Sequence, residues 1–332
     1  MVSTILMDVT TRSIIDADQI QYPSTQLNRV LVIGLGQLGL PVAKYIKQRG
    51  GFDVYGYDIS SKAMDRAQTT AGIKKAANFS DFDVYILCIS THKPEDMFSP
   101  QIEGLLSIID KISKEAKNGA LVSIESTIPK GTSKKVFEML NHKLHVAHAP
   151  HRWYALEEQE HGVNQVRVIG GVCDCCLKIA MYFYDGRSEN MNNSSSFSSS
   201  NEEKSKAKSL GIPMHPVSDI EIAELAKIIE NADRYLQIAF AEDLYIYCQA
   251  NNISFPELRD AVNTKWNVHI LEPREGIGGH CLPKDTKMFL QSSKSIKSKI
   301  LQAAIEVDQD YRRYRQAREI KGIYQNSLLQ SI

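Results

Sequence analysis

The sequence predicts an α/β protein, a doubly wound parallel sheet followed by a helical domain with one long central helix. Three observations carry that expectation. Short apolar runs such as Arg29-Val30-Leu31-Val32-Ile33 and Val84-Tyr85-Ile86-Leu87-Cys88-Ile89 alternate with helical stretches, as buried parallel strands do. Gly34-Leu35-Gly36-Gln37-Leu38-Gly39 stands between the first run and a helical stretch closed by Gly50 and Gly51. From about Ile220 to Ala250, Ile222, Leu225, Ile229, Leu236, Phe240 and Leu244 keep helical spacing, behind a Ser218-Asp219 cap.

Bulk properties exclude several classes of function. The chain has 332 residues, 43% hydrophobic and 23% charged, enough for one large or two medium cores. Lys+Arg and Asp+Glu both number 39, so no net field draws in a nucleic acid. No apolar run approaches the ~20 residues that span a bilayer. The opening MVSTILMDVTTRS lacks the continuous apolar core of a signal peptide, so a cytoplasmic protein with six reduced cysteines is expected.

Three regions follow in order. Residues 1–27 read as an extension, 28–217 as a dinucleotide-binding domain with a polar, Ser-rich insertion at 188–208, and 218–325 as the helical domain. In the glycine-rich turn, Gly34, Gly36 and Gly39 permit a tight bend and close approach of a pyrophosphate to a helix N-terminus, with Gln37 and Leu38 between them. A second strand, Val54 to Tyr57, ends at Asp58, which can accept hydrogen bonds from a ribose diol. A carboxylate there repels a 2′-phosphate, so NAD is favoured over NADP.

Further strands are expected at 120–124, near 143–147 and at 166–171. Ser90-Thr91 and Glu125-Ser126-Thr127-Ile128-Pro129-Lys130-Gly131-Thr132 fall at strand C-terminal ends, the edge where doubly wound sheets bind ligands. Their hydroxyls either face a ligand or cap a helix. Ala149-Pro150-His151-Arg152 follows the fifth strand. Cys173, Cys175 and Cys176 open a helical stretch; their spacing is unlike zinc-site pairs and the sequence offers no fourth ligand, so no metal site is assigned. On the long helix Glu224, Lys227 and Asn231 share one face, as a solvated charge pair or as part of a site. Short helices at 255–264 and 284–292 flank Gly276-Ile277-Gly278-Gly279-His280-Cys281-Leu282-Pro283-Lys284-Asp285, where glycines deliver a cysteine beside a lysine and an aspartate. Nearby cations lower a thiol pKa, so Cys281 is expected to be the most reactive thiol. A final amphipathic helix runs from about 296 to 324.

Taken together these stretches resemble the UDP-glucose/GDP-mannose 6-dehydrogenase family, from about Arg29 to Arg312. GLGQLGLPVA is similar to its Rossmann-like dinucleotide turn, ESTIPKGT to its Ser-Thr-Val-Pro-Pro-Gly-Thr loop, IAELAKIIENADRY to its active-site helix, and GGHCLPKD to its catalytic-cysteine signature. The resemblance implies NAD-dependent oxidation of the C6 alcohol of a nucleotide sugar through a Cys281 thiohemiacetal and thioester. Lys227 and Asn231 would polarise oxyanions and contact substrate, and Asp285 would hold water. Thr127 and Lys284 would face cofactor and reacting groups, Thr91 and Ser126 the cofactor, and Gly276 and Gly278 the sugar nucleotide. A homodimer built around the long helix is expected. The alternative is a catalytically silent NAD-binding paralogue acting as a structural partner.

Two departures stand out. Where the family reads Pro-Glu, with a catalytic glutamate, this chain has Pro150-His151. From its reference pKa of about 6.5, favoured neutral by Arg152, His151 is expected to let hydride transfer proceed but to slow thioester hydrolysis, which should fall away below about pH 6. The family also continues into a second Rossmann-like domain, for which these 332 residues leave no room. The expectation is then that a separate chain completes the site, that the substrate is smaller or differently held, or that catalysis has been lost.

Overall fold

The computed structural model describes residues 27–93, 95–96, 99–152, 162–186, 209–292 and 298–329. The expected extension up to Gln26 and the Ser-rich insertion lie outside the described residues. In order, the elements are β1 (Arg29–Ile33), α1 (Gly39–Arg49), β2 (Asp53–Tyr57), α2 (Ser61–Ala71), β3 (Lys74–Lys75), β4 (Val84–Leu87), α3 (Glu103–Glu115), β5 (Leu121–Ile124) and α4 (Thr132–Met139). They continue with β6 (His145–His148), β7 (Arg167–Gly171), α5 (Asp174–Tyr184), β8 (Met214–Pro216), α6 (Ile220–Ala250), α7 (Phe255–Asn263), α8 (Cys281–Gln291) and α9 (Lys299–Leu329).

The strands form one sheet in the order β3-β2-β1-β4-β5-β6-β7-β8. The chain winds outward from β1 in one direction and then restarts at β4 on its other side, which opens a crevice at the strand C-terminal ends. Val30 and Val32 point into one apolar layer while Leu31 and Ile33 point into the other, all of them buried. That two-sided burial is why the strands read as unbroken apolar runs rather than alternating ones. The sheet is mixed rather than wholly parallel: β7 pairs antiparallel with β6, and β8 parallel with β7. β3 and β8, with two and three residues, carry no period that a sequence could display.

The long helix has its expected bounds, but its buried face is not the expected stripe. Ile222, Ile229 and Phe240 are exposed, and Ala223, Glu224, Ile228, Ala232, Tyr235 and Ala239 are buried instead. Small residues bring α8 and α9 close to α6, and large ones remain outside. Glu224 is no surface decoration. Its carboxylate accepts from Gly131 N at 2.6 Å and Ser133 N at 2.8 Å, capping α4 and fixing α6 to the sheet edge.

Deeper in the helical region, Glu242 is fully buried and, among the described residues, no hydrogen bond satisfies either carboxylate oxygen. Burial, reinforced by Asp308, pushes its pKa from 4.5 up to about 8. The folded state therefore takes up a proton that the unfolded chain lacks, so stability falls as pH rises from about 4.5 to about 8. Glu242→Gln is expected to stabilise the protein by about 1–3 kcal/mol at alkaline pH and by much less at pH 5. Urea midpoints at both pH values test this; an equal or opposite shift at the two would refute the assignment.

Candidate active site

The first half of the site is the glycine turn between β1 and α1. Gly34 has φ +89°, and a Cβ there would meet the Cys88 carbonyl oxygen at 2.4 Å, while one on Gly39 would meet the Gly34 carbonyl at 1.7 Å. These two positions pack the turn against β4 and α1 and tolerate no side chain. Gly36 is the reverse case, with nothing within 4 Å of its Cβ position, and Gln37 beside it is exposed. That open space at the start of α1 is the cradle a pyrophosphate needs. Asp58 accepts from Leu35 N at 2.7 Å and Ser60 N at 2.8 Å, one bond per carboxylate oxygen. Each oxygen keeps a free acceptor position for a ribose hydroxyl. The residues fit a dinucleotide.

The expected cofactor hydroxyls are anchored. Ser126 donates to Ile89 O at 2.7 Å, and Thr91 donates to Thr127 O at 2.7 Å, tying the ends of β4 and β5 together. Thr91 also receives Lys284 Nζ at 3.4 Å, which joins the sheet edge to α8.

The second half comes from the helical domain. Cys281 does not sit in a loop but is the first residue of α8, where the helix dipole favours an anion. Lys284 and Asp285, one turn on, are both buried and paired at 2.5 Å. Asp285 accepts from Asn231 Nδ2 of α6 at 2.5 Å through its other oxygen. Asn231, Asp285, Lys284 and Thr91 thus form one chain from α6 to the sheet. The glycine loop before α8 is held from below: Ile277 N donates to Asp308 at 2.9 Å and Arg312 donates to Ile277 O at 2.8 Å. Gly276 packs against Arg312, whereas Gly278 faces open space.

The Cys281 thiolate is not preformed. Although the residue as a whole is exposed, burial of its sulfur, reinforced by Asp285, pushes the thiol above its usual value, and Lys284 and Lys227 offset this only in part. Lys284 is already paired with Asp285. The expectation drawn from neighbouring cations is corrected for the chain without ligand.

His151 is buried as well. Its Nε2 lies 2.9 Å from Glu125 Oε2, and Glu125 also contacts Arg167 Nη1 at 3.0 Å and accepts from Tyr184 OH at 2.6 Å. Burial, then Arg167, holds the His151 pKa down at about 4, against the pull of Glu125. Arg152, expected to do this, instead pairs with Glu230, its Nε at 2.9 Å. His151 is therefore neutral well below pH 6, and the expected loss of hydrolysis moves to about pH 4. Lys227 is the charge that couples the two halves, influencing both Cys281 and His151. Glu125, Arg167 and Tyr184 escaped the sequence reading as functional residues. The one signal was an arginine opening a buried strand, which demands a buried carboxylate.

A glycine cradle at the sheet edge, joined through Thr91 and Lys284 to a cysteine-headed helix, defines a dinucleotide-binding protein of Rossmann-like fold. The chain belongs to the UDP-glucose/GDP-mannose dehydrogenase family: its NAD binding domain matches residues 65–186 and its central domain residues 221–310. UDP-N-acetyl-D-mannosamine dehydrogenase of Methanococcus maripaludis is 26% identical over 310 residues, covering 87% of this chain and 66% of that protein. The Campylobacter jejuni protein of the same name is 27% identical, covering 85% of this chain and 72% of its own. The structure of UDP-D-ManNAc dehydrogenase from Pyrococcus horikoshii superposes with TM-score 0.72 at 25% identity, over 90% of this chain and 72% of that one. The chain thus spans about two-thirds of the length of its curated relatives. Among the described residues no helix is long and apolar enough to cross a membrane.

Proposed function

We propose that this chain carries out the NAD-dependent oxidation of the C6 alcohol of a nucleotide sugar to a carboxylate, with a UDP-linked N-acetylhexosamine as the favoured substrate. The observation that supports the reading is the Asn231–Asp285–Lys284–Thr91 chain beside Cys281, which links α6 and α8 to the sheet edge. The names of the relatives supply the sugar class. NAD, when bound along Gly34, Gly36 and Asp58, supplies the hydride acceptor.

The chain's own residues do the rest. Cys281 adds through sulfur to the aldehyde carbon and keeps the half-oxidised substrate from leaving. Lys227 and Asn231 offer a cation and an amide donor to the developing oxyanion. Asp285, the acceptor for both Asn231 and Lys284, orients the water that releases the acyl group. Thr127, on the loop capped by Glu224, lines the same edge. Neutral His151, backed by Glu125, stands where the family's glutamate does, as a base in reserve near Lys227. A screen for NADH production across UDP- and GDP-sugars, including UDP-N-acetylmannosamine, tests the reading; no NADH from any of them, at an enzyme concentration where NAD binding is demonstrated, would overturn it.

NAD⁺ is expected to bind at least about tenfold more tightly than NADP⁺, because Asp58 faces the ribose and Arg66 is engaged at the Leu35 carbonyl at 3.0 Å. Equal affinities by calorimetry would sink this. We further propose a homodimer through α6. Ile222, Ile229, Phe240 and Tyr247 are each about half exposed, and Phe240 borders an apolar groove of about 360 Å³ with Leu244, Phe255 and Val262. Light scattering should give twice the chain mass at micromolar concentration, and a monomer mass would exclude the dimer.

A further inference from the structure

At the opposite end of the sheet from Cys281, three cysteines and a histidine meet. Cys173 caps α5, with its sulfur accepting from Cys176 N at 3.4 Å. Its Sγ lies 2.8 Å from Cys175 Sγ and 3.0 Å from Cys176 Sγ. Cys176 is buried, accepts from Val146 N at 3.4 Å, and has His145 Nδ1 at 3.7 Å, 31 residues back in the chain. Donor atoms of His145, Cys175 and Cys176 all fall within 4.8 Å of one another. Among the described residues, the hydrogen-bond partners of these four side chains are Val146 and one another.

We propose that Cys173, Cys175, Cys176 and His145 form a metal site for a thiophilic ion of the Zn²⁺ type, joining the first turn of α5 to the start of β6. The fourth donor that the cysteine spacing lacks is supplied by β6, so the set becomes Cys₃His, a closed tetrahedral complement. Three sulfurs exclude the oxygen-seeking ions Ca²⁺ and Mg²⁺. Backbone N–H groups of Val146 and Cys176 are aimed at the Cys176 and Cys173 sulfurs, which fixes these two donors in place at the first turn of α5. Bonds of ~2.3 Å would spread the sulfurs to about 3.7 Å. Exposed Cys175 and half-buried Cys173 have room to move, while buried Cys176 stays anchored. A Cys173–Cys176 disulfide would account for two of the donors and leave Cys175 and His145 without a part. The ion would fix α5, whose far end carries Tyr184, against the strand that leads to His151.

The full chain, reduced and stripped of metal, should be titrated with Co²⁺. One equivalent is expected to produce the intense ligand-field and sulfur-to-cobalt absorption of a tetrahedral thiolate site, to be displaced by Zn²⁺, and to raise the melting temperature. Cys175→Ser and His145→Gln should weaken Co²⁺ binding by at least the roughly 10- to 100-fold that even outer-sphere partners cost, with circular dichroism unchanged. Cys281→Ala should leave the spectrum intact. Absence of the thiolate–cobalt absorption, or its persistence in a Cys175→Ser/Cys176→Ser double variant, would overturn the site. So would a metal-free protein, alkylated on lysis, that carries a Cys173–Cys176 disulfide.

Discussion

Cys281→Ala is expected to lower carboxylate formation by at least about a thousandfold while leaving NAD binding unchanged. Among the described residues the Cys281 sulfur, at the head of α8, is the one thiol on which Lys284, Asp285 and Lys227 act, so the proposed covalent adduct is lost with it. Binding of NAD should survive because Gly34, Gly36 and Asp58 belong to a separate element. Carboxylate measured by mass spectrometry, alongside NADH released per substrate, reads the effect. A variant keeping more than about a tenth of the wild-type rate would remove Cys281 from the chemistry. The raised thiol adds a pH signature: the wild-type rate should climb as alkaline pH generates thiolate. His151, held down at about 4, should contribute no inflection between pH 5 and 8.

Arg167→Met is expected to destabilise the chain by about 3–5 kcal/mol. Arg167 and Glu125 are both buried, and Arg167 also donates to Val163 O at 2.7 Å. Removing the guanidinium leaves the Glu125 carboxylate in the core with no cation beside it among the described residues, held by Tyr184, His151 and the Cys88 thiol. Burial still holds His151 down, but its pKa should rise above the wild-type value, because the cation that opposed its protonation is gone. Urea unfolding of the single variant and of Arg167→Met/Glu125→Gln tests the pair: the double variant should recover much of the loss, and strict additivity would refute coupling. The acid limb carries the same logic. Against the upward push of burial, Arg167, then His151 and Tyr184, hold Glu125 down from 4.5 to about 2, so its contribution is complete above pH 4.5 and is lost as pH falls towards 2. Glu125→Gln should flatten that limb.

Much of this molecule was legible in one dimension. β1, the glycine turn and Asp58 are neighbours along the chain, and their chemistry is local: glycines for backbone approach and a carboxylate for a diol. The bounds of α6 were legible too, because a cap and thirty-one residues of helical spacing repeat one signal many times. Its orientation was not. Apolar spacing marks a face, but which face is covered depends on what packs there, and α8 and α9 approach the side of small residues.

The sequence by itself determined the α/β class and the cradle, which rest on spacing along neighbouring elements, and it offered Lys227, Asn231, Cys281 and Asp285 as candidates through their resemblance to family motifs. Only the tertiary structure decided their states. It raised the Cys281 thiol, paired Lys284 with Asp285, turned Glu224 inward as a cap, buried His151 beside Glu125 and Arg167, and set His145 beside Cys175 and Cys176. A protonation state or a ligand set depends on charges and burial within a few ångströms, and residues that far apart in sequence become neighbours only when the sheet and helices close around them.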